Sequence, residues 1–502
     1  MKDRILFLID NEWLRFCIAK FIQQNYDCES FAVIDIPYTS MKFFQNQQIV
    51  QFQKTWFYRD YVIKTDKKPD IEYLKYFEEK YKINIWNIAF AERFFFKFNP
   101  FYKFSYDEIL SLLEQECRLF ETILDEVKPH FLVIKLTDSH QSNLLHQMCK
   151  MKNIRTLMLG PTRFAYRYAV YSDYDQFDDM DEIKNNSVTN LKTIPELQNY
   201  LNEHHAVKEI TTYENRSKTS FFNRFVKYIK YLMLIGNPEF KSYYANYGKT
   251  RLRVISRMIF IKKWYRKHFI DKYFIKKIDT ETPYVYLPLH VEPERSTLLV
   301  APYFTNQIEM ITHIAKSLPV GYKLFVKEHI GMFLVGWRET SYYKRILEFP
   351  NVCLIHPSVK SEDLLKNSSL VINVAGTTGI EAAFYNKPVI AFADVSYSTL
   401  PSVYRIRNIE DLPNAIRMML GKEIDLVALN NYVNMVEKNS FEFDLNNLYL
   451  DFDEYFSEDF NNGLGDIPIS KMESFLAKYG PKFEPLAMEH IKKIKQWKGL
   501  KI

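Results

Sequence analysis

The chain has 502 residues, a hydrophobic share of 47%, a charged share of 25% and a formal net charge of +6 at pH 7. This length exceeds what one core usually accommodates, so two or three domains are expected, and the composition excludes a disordered or fibrous protein. The absence of any run of about 18 apolar residues argues against a transmembrane helix.

The cysteines and the first residues indicate the compartment. The five cysteines are scattered and form no C-x-x-C pair, so neither a zinc knuckle nor a disulfide framework is predicted. The first apolar run, residues 5–9, is broken by Asp10. It is too short for a signal peptide and is typical of a first β-strand. A reducing cytoplasm is therefore the expected location.

The first 172 residues alternate between strand and helix patterns. Strands are predicted at 5–9, 30–36, 130–136 and 155–160, with helices between them that include a long one at 106–127. Strands separated by helical patterns of this kind predict βαβ units and a parallel sheet. Residues 1–172 are therefore predicted to form a Rossmann-like domain.

Residues 173–283 are predicted to form a largely helical connector with an acidic start and a basic end. Between Arg216 and Lys277 there are 17 Lys or Arg residues and only two acidic residues, interleaved with aromatic side chains. Three interpretations stay open for the basic part. It could be a solvated helical subdomain, it could lie on an anionic membrane surface, or, least favoured, it could bind nucleic acid.

From Tyr284 the alternation returns. Strands are predicted at 296–301, 322–328, 351–356, 370–375 and 388–393, with helices between them and a closing helix near 409–420. Near-continuous apolar runs rich in Val and Ile are typical of parallel strands buried on both faces. Residues 284–425 are predicted to form a second Rossmann-like domain, and residues 426–502 a helical tail that could cross back onto the first. Two such domains imply a cleft between them.

A turn in the second domain could bind phosphate. The run Gly376-Thr377-Thr378-Gly379 follows a buried strand, and Glu381 lies in the helix that comes next. Backbone N–H groups and the positive end of a helix dipole favour an anion at such a place. The alternative is a tight turn whose threonine caps the helix. Neither a Walker lysine nor a G-x-G-x-x-G fingerprint accompanies it.

Two more strand ends point to the same edge of the predicted sheet. Lys327 and His329 follow one strand in the segment LFVKEHIG, and His356 and Ser361 follow the next in IHPSVKSEDLL. A lysine and a histidine there could bind a phosphate group by charge-assisted hydrogen bonds. Ser361 could instead simply cap a helix.

Five further residues are candidates for site chemistry. His290, Glu292 and Glu294 lie together in YLPLHVEPERS, while Asp10 and Asp138 end strands of the first domain. Paired carboxylates can divide acid and base work, although ion pairing and helix capping explain carboxylates at such positions too. No H-x-x-x-H spacing occurs and no D-x-D motif ends a strand, so neither a metal nor a separate cofactor is expected.

Three segments carry a family resemblance. The stretches 284–296, 304–329 and 351–392 resemble, in order and spacing, the capsule and surface polysaccharide biosynthesis proteins, a group similar to Kdo and sialic acid transferases of the GT-B fold. The resemblance covers residues 284–397 well, and the N-terminal half matches only in its pattern of strands and helices.

The resemblance implies a metal-independent glycosyltransferase. Its second domain would bind the donor through His290, Lys327, His329, His356, Ser361, the turn Gly376-Thr377-Thr378-Gly379 and Glu381. Its first domain would bind a glycan or lipid-linked glycan acceptor. A CMP-linked acidic sugar is the favoured donor and a UDP-sugar the next. The alternatives are an enzyme like UDP-N-acetylglucosamine 2-epimerase, and a non-catalytic protein that binds glycans or partners at the membrane.

Overall fold

The computed structural model describes residues 2–36, 41–96, 102–164, 166–178, 180, 191–203, 262–278, 281–333, 336–456 and 467–500. These residues form two compact units. Unit 1 contains the described residues up to Tyr174 and from Ser440 onward, and unit 2 contains those from Asp175 to Asn439. The connector was predicted at residues 173–283, and residues 204–261 of it lie outside the described residues.

Unit 1 is built on a seven-stranded sheet with the order β13-β6-β5-β4-β1-β2-β3. Its strands are β1 (Asp3–Asp10), β2 (Cys28–Asp35), β3 (Lys54–Phe57), β4 (Phe131–Ile134), β5 (Arg155–Pro161), β6 (Arg167–Tyr171) and β13 (Phe441–Glu442). The first five pair in parallel, whereas β6 and β13 pair antiparallel. The chain runs outward from β1 to β3 and returns to β4, so the ends of β1 and β4 form the switch point where open α/β sheets bind ligands.

The helices of unit 1 come from both ends of the chain. They are α1 (Leu14–Asn25), α2 (Met41–Asn46), α3 (Tyr58–Tyr61), α4 (Ile71–Tyr81), α5 (Ile85–Ala91), α6 (Tyr106–Val127), α7 (His140–Met151), α17 (Leu445–Tyr455) and α18 (Ile469–Trp497). Ser105 begins α6 with a capping box, because its hydroxyl accepts from Glu108 N at 3.2 Å and its own N–H donates to Glu108. Such a box satisfies backbone donors that a helix start otherwise leaves unpaired.

The C-terminal helix α18 completes the core of unit 1. Its apolar face packs on α1, where Phe483 stacks on Phe21 with ring centroids 6.4 Å apart. Phe475 and Leu486 are fully buried in the same cluster as Ile5 of β1. Residues 426–502, predicted from sequence to be one tail, thus divide between the units after Asn439.

Unit 2 is built on a six-stranded parallel sheet with the order β12-β11-β10-β7-β8-β9. Its strands are β7 (Tyr284–Pro288), β8 (Lys323–Lys327), β9 (Val352–Ile355), β10 (Leu370–Asn373), β11 (Val389–Ala391) and β12 (Val403–Arg405). The order is that of a Rossmann sheet, and its switch point lies between the ends of β7 and β10.

The described helices of unit 2 connect these strands and cover them. They are α8 (Ile194–Glu203), α9 (Lys263–Tyr273), α10 (Arg295–Leu298), α11 (Gln307–Ser317), α12 (Thr340–Leu347), α13 (Ser361–Asn367), α14 (Thr378–Phe384), α15 (Leu412–Met419) and α16 (Leu426–Lys438). None of the helices that the structure describes in either unit is long and apolar enough to cross a membrane.

The predicted class, two Rossmann-like α/β domains, is confirmed, but the first strand of the second domain was predicted in the wrong place. Residues 296–301 contain the end of the short helix α10 and a loop, and the strand is β7, twelve residues earlier. A short apolar run does not show by periodicity whether it is a strand or a buried helical turn. All of β7 except Pro288 is buried.

Candidate functional site

The switch point of unit 2 brings together the ends of β7 and β10. His290 follows β7, and its Nε2 lies 3.3 Å from Oδ1 of Asn373, the last residue of β10. The backbone N–H of Ala375 also points to His290 Nε2, at 3.5 Å. The loop of His290 is held from the other side by Gln307, whose Oε1 accepts from His290 N at 2.8 Å. His290 therefore lies directly against the glycine turn.

The glycine turn is held by Asn373 and Tyr397. Asn373 Oδ1 accepts from Gly376 N at 3.0 Å, and its Nδ2 donates to Gly376 O at 2.7 Å. The Tyr397 hydroxyl donates to the same carbonyl at 2.7 Å. A Cβ atom on Gly379 would lie 2.7 Å from Tyr397 Cε2 and Cζ, so the tyrosine packs where only glycine leaves room. Gly376, Gly379 and Tyr397 therefore hold the turn in one conformation.

The capping alternative for the threonines is not what the structure shows. Thr377 stands at the N-cap of α14 with helical dihedral angles and no side-chain cap. Thr377 and Thr378 are both half-buried. Their hydroxyls are therefore candidates to contact a ligand.

A second group forms around Lys327, at the end of β8. Lys327 Nζ donates to Ser361 Oγ at 2.7 Å, and the buried Tyr286 hydroxyl also hydrogen-bonds Ser361. Burial lowers the pKa of Lys327 to about 8, against the opposing effect of Glu381 in α14. An amine with only one carboxylate acting on it is suited to binding an anion. Lys327, Ser361 and Glu381, all predicted from sequence, thus belong to one cluster.

The two remaining histidines of the prediction are placed differently. His329 is exposed, and its Nδ1 accepts from Gly331 N at 3.0 Å. The surrounding loop desolvates it and lowers its pKa, an effect that Glu328 opposes. Both ring nitrogens of His356 have other partners, since Nε2 is 3.0 Å from Asp271 of α9 and Nδ1 is 2.6 Å from Ser358 Oγ. The structure therefore does not bring His356 into the Lys327 cluster.

Glu292 and Glu294 are engaged in local structure. Glu292 pairs with Arg338 at 2.8 Å and accepts from Gln307 Nε2 at 2.6 Å. Arg338, which is buried, also donates to the fully buried Glu328 at 2.8 Å and to the carbonyl of His290. Glu294 accepts from Ser296 Oγ at 3.1 Å at the start of α10. Ion pairing, the alternative considered for these carboxylates, is thus present for Glu292, with Arg338 as its partner.

The switch point of unit 1 brings Asp10 and Asp138 to one lysine. Lys135, just after β4, lies 3.2 Å from Asp10 and 3.2 Å from Asp138. Arg15 also pairs with Asp10. Burial alone would raise the pKa of Asp10, but Arg15 and Lys135 outweigh it and lower that pKa to about 2. The Asp138 side chain is twice as exposed as that of Asp10, 31% against 15%.

His140, two residues after Asp138, is buried in a carboxylate cluster. Its Nδ1 lies 2.9 Å from Glu116, and its Nε2 lies 3.8 Å from Glu92. Burial would lower its pKa, but Glu116 and Glu92 outweigh burial and raise the pKa of His140 to about 9. Its exposure is 0%, so His140 holds the start of α7 and does not face a substrate.

Several residues of these clusters were missed from the sequence. Asn373 and Tyr286 each lie in an apolar strand. A polar group in such a strand is a signal that could have identified them as candidate site residues. Lys135 was inside a predicted strand, but its partners Asp10 and Asp138 lie outside that strand, so the strand pattern did not show the contact. Arg338 lies in a loop and Tyr397 in the short 3-10 helix Ser396–Thr399, neither with a distinguishing sequence pattern, so only the tertiary structure brings them to the site. Among described residues, no group of three His, Cys, Asp or Glu side chains could hold a metal ion.

Comparison with solved structures gives remote likenesses. The chain is 14% identical to UDP-GlcNAc 2-epimerase of Methanocaldococcus jannaschii, with 87% of this chain and 100% of that chain covered and a TM-score of 0.26. It is 13% identical to the beta Kdo 2,7 transferase KpsC of Thermosulfurimonas dismutans, with 70% and 87% covered and a TM-score of 0.30. It is 11% identical to the MnaA-UDP structure of S. aureus, with 86% of this chain and 92% of that chain covered and a TM-score of 0.25. Likenesses at these scores carry no assignment of function.

Sequence comparison is more specific. No curated protein matches the chain significantly. The model of the capsule polysaccharide biosynthesis protein family matches residues 185–401, a segment that contains the glycine turn, Lys327 and Ser361. Over that segment the resemblance expected from the sequence is confirmed: residues 185–401 are similar to the capsule polysaccharide biosynthesis proteins.

Proposed function

We propose that the chain is a glycosyltransferase of capsular or surface polysaccharide synthesis. It transfers a sugar of the Kdo or sialic acid type from a CMP-linked donor to a glycan acceptor. The observation that carries the proposal is the placement of the Lys327 cluster and the glycine turn at the carboxyl edge of the unit 2 sheet, within the segment that the family model matches. Open α/β sheets bind nucleotides at this edge.

Unit 2 is assigned the donor. Lys327 supplies a cation for the donor phosphate, and Thr377 and Thr378 supply hydroxyl donors beside it. As the bond between the sugar and the phosphate breaks, negative charge grows on the leaving phosphate. A lysine held in place by Ser361 at 2.7 Å needs no rearrangement to stabilise that charge. Glu381, in the first turn of α14, is assigned to accept from a ribose hydroxyl of the same nucleotide.

Unit 1 is assigned the acceptor. Asp138 is the proposed general base. It removes the proton of the acceptor hydroxyl while the oxygen of that hydroxyl bonds to the sugar and CMP leaves. Asp10 is less suited to this role, because Arg15 and Lys135 stabilise its ionised form and lower its pKa to about 2. A carboxylate of such low basicity is a poor proton acceptor. Glu292 and Glu294 are assigned to loop structure, since their oxygens already bind protein groups.

The test is to incubate the protein with CMP-Kdo, CMP-sialic acid or UDP-N-acetylglucosamine, each with and without an acceptor glycan. Release of CMP that requires the acceptor is the expected result. Lys327→Ala should weaken CMP binding by about tenfold or more, the loss expected for one charge-assisted hydrogen bond. An isomerised nucleotide sugar formed without acceptor would show an epimerase instead. Nucleotide binding without turnover of any donor would show a non-catalytic protein.

A further inference from the structure

One helix of unit 2 has an exposed face with aromatic and basic side chains. In α9, Arg266, Phe269 and Ile270 are buried against the unit. On the opposite face, Trp264 is 72% exposed and Tyr265 is 56% exposed. Adjacent exposed aromatic side chains contribute to an apolar patch, and larger patches of this kind mark surfaces that contact a partner or a membrane.

This face is held rigidly. Arg266 donates from Nη1 to the carbonyls of Gly336 at 3.0 Å and Trp337 at 2.8 Å, and it pairs with Glu339. At the other end of the helix, Asp271 lies 3.0 Å from His356. The role of His356 is thus to fasten α9, and the aromatic face has a fixed orientation on unit 2.

The exposed face continues onto the loop that follows β8. Lys263 Nζ lies 3.4 Å above the ring of Phe333, which is 40% exposed. Ile330, in the same turn, is 48% exposed. We call this set the α9 surface; it consists of Lys263, Trp264, Tyr265, His268, Lys272, Ile330 and Phe333.

The charge around the α9 surface is strongly positive. Residues 262–277 contain seven Lys or Arg residues and one acidic residue, Asp271, which pairs with Lys267 and His356. The chain just before it, from Arg216, contains ten more Lys or Arg residues and one acid. The charge of this part of the chain therefore complements an anionic partner.

We propose that the α9 surface docks on a membrane that contains anionic lipid. Trp and Tyr prefer the boundary between lipid head groups and acyl chains, where one edge of the ring is apolar and the other is hydrated. Each Lys or Arg near an anionic lipid surface strengthens attachment severalfold. Nucleic acid would also suit the cations and rings, but the aliphatic Ile330 beside Phe333 favours acyl chains over bases. The inference needs no nucleotide and is independent of the proposed transfer activity.

The experiment uses the full chain and sedimentation with vesicles of phosphatidylcholine, with and without about 30% phosphatidylglycerol. Binding should require the anionic lipid and weaken with added salt. Lys263→Glu with Lys272→Glu should weaken binding by at least about tenfold. With phosphatidylcholine brominated on the acyl chains, bound protein should lose tryptophan fluorescence, and Trp264→Phe should abolish most of that loss.

The matched control is Lys75→Glu with Tyr76→Ala on α4 of unit 1, where the tyrosine is 56% exposed. This variant should bind vesicles as the parent does. Vesicle binding in which Trp264 is not quenched would place the contact elsewhere and overturn the proposal. Binding to single-stranded RNA but not to vesicles would overturn it too, as would a dimer that Trp264→Ala dissociates without any vesicle binding.

Discussion

Lys327 is a half-buried lysine whose protonation depends on pH near neutrality. Burial is the main cause of its lowered pKa of about 8, and the carboxylate of Glu381 opposes it. A bound phosphate would add negative charge beside the amine and raise its pKa. Nucleotide binding should therefore be coupled to proton uptake when the pH exceeds about 8.

The first prediction follows from this coupling. The Kd for CMP should be nearly constant below pH 7 and should rise above pH 8, by up to about tenfold per pH unit. Titration calorimetry between pH 6.5 and 9.5 measures it. In Lys327→Arg the dependence should disappear, because a guanidinium stays protonated over this range. An unchanged pH dependence in that variant would mean that another group titrates.

His140 represents the opposite case, a buried base whose pKa is raised. Burial would lower the pKa, but the carboxylates of Glu116 and Glu92 raise it to about 9, above the ordinary value of 6.5. The protonated form is therefore favoured in the folded state. This contribution to stability is fully present below about pH 6.5 and is lost as the pH rises through about 9.

The second prediction concerns unfolding. His140→Gln should lower the free energy of unfolding by a few kcal/mol at pH 6.5, because it leaves two buried carboxylates without their cation. At pH 9.5 the difference between the parent and the variant should be clearly smaller. Urea titrations at both pH values measure it. A difference that does not shrink would show that His140 is neutral in the folded protein.

At the scale of elements, the turn between β10 and α14 depends on close packing by a side chain from a later loop. Tyr397 is fully buried and donates to Gly376 O at 2.7 Å while its ring covers Gly379. Because the ring is held at both places, it has no free space to move into. The shape of the candidate phosphate turn is thus decided by packing as well as by its glycines.

The third prediction tests this turn. Gly379→Ala would place Cβ 2.7 Å from two ring carbons of Tyr397, so it should cost about 1–3 kcal/mol in stability and weaken CMP binding about tenfold. Gly480→Ala in α18 is the control, since its nearest atom is the ring carbon Phe21 Cζ at 3.2 Å, in unit 1. Thermal unfolding and CMP titration of both variants compare them. Normal CMP affinity in Gly379→Ala would contradict the role of the turn.

The helix α18 is the second element whose role depends on tertiary contacts. Its sequence is amphipathic, but the sequence of the helix does not show that its partners are α1 and α17. Phe475 is fully buried and contacts Phe452 with ring centroids 5.3 Å apart. The apolar face of α18 is therefore part of the core of unit 1.

The fourth prediction uses two positions of this helix. Phe475→Ala should destabilise unit 1 by about 3–5 kcal/mol, because it leaves a cavity among aromatic rings. Met488→Ala, on the exposed side of the helix with 44% exposure, should change stability by less than about 0.5 kcal/mol. Denaturant unfolding of both variants measures the difference. Equal effects would mean that α18 is not packed as described.

For the whole molecule, the proposal divides the chemistry between the two units. The donor residues lie at the switch point of unit 2 and the proposed base at that of unit 1, and each group is held by its own sheet. A change at the proposed base in unit 1 should therefore lower kcat and leave CMP affinity, whereas a change at the donor residues of unit 2 should weaken CMP binding.

The fifth prediction is this separation. Asp138→Asn should lower kcat by about 10²–10⁴ with little change in CMP affinity, because only proton removal is lost. Lys327→Ala should weaken CMP binding, and it should lower kcat as well if the lysine stabilises the leaving phosphate. Initial rates and CMP titrations of each variant measure both properties. Full activity in Asp138→Asn would assign the base to another residue.

Most elements of both sheets could be predicted from the sequence, because apolar runs and helical spacing are local properties. The exceptions show the limit. Residues 296–301 were predicted to be a strand and instead contain the end of helix α10, and the short strands β3, β6, β12 and β13 were not predicted. Strands of two to five residues are stabilised by their neighbours in the sheet, and a short sequence window contains no information on those neighbours.

What the sequence by itself determined is the fold class, the family resemblance over the second domain, and the strand ends that carry Lys327, Ser361, the glycine turn and Glu381. These follow from patterns within one or two elements. Only the tertiary structure decided which of these side chains meet, that His356 fastens α9, that Arg338 binds Glu292, and that Lys135 joins Asp10 to Asp138. The physical reason is that hydrogen bonds and ion pairs depend on distances of about 3 Å between atoms far apart in the chain, and only the folding of the elements within each unit sets those distances.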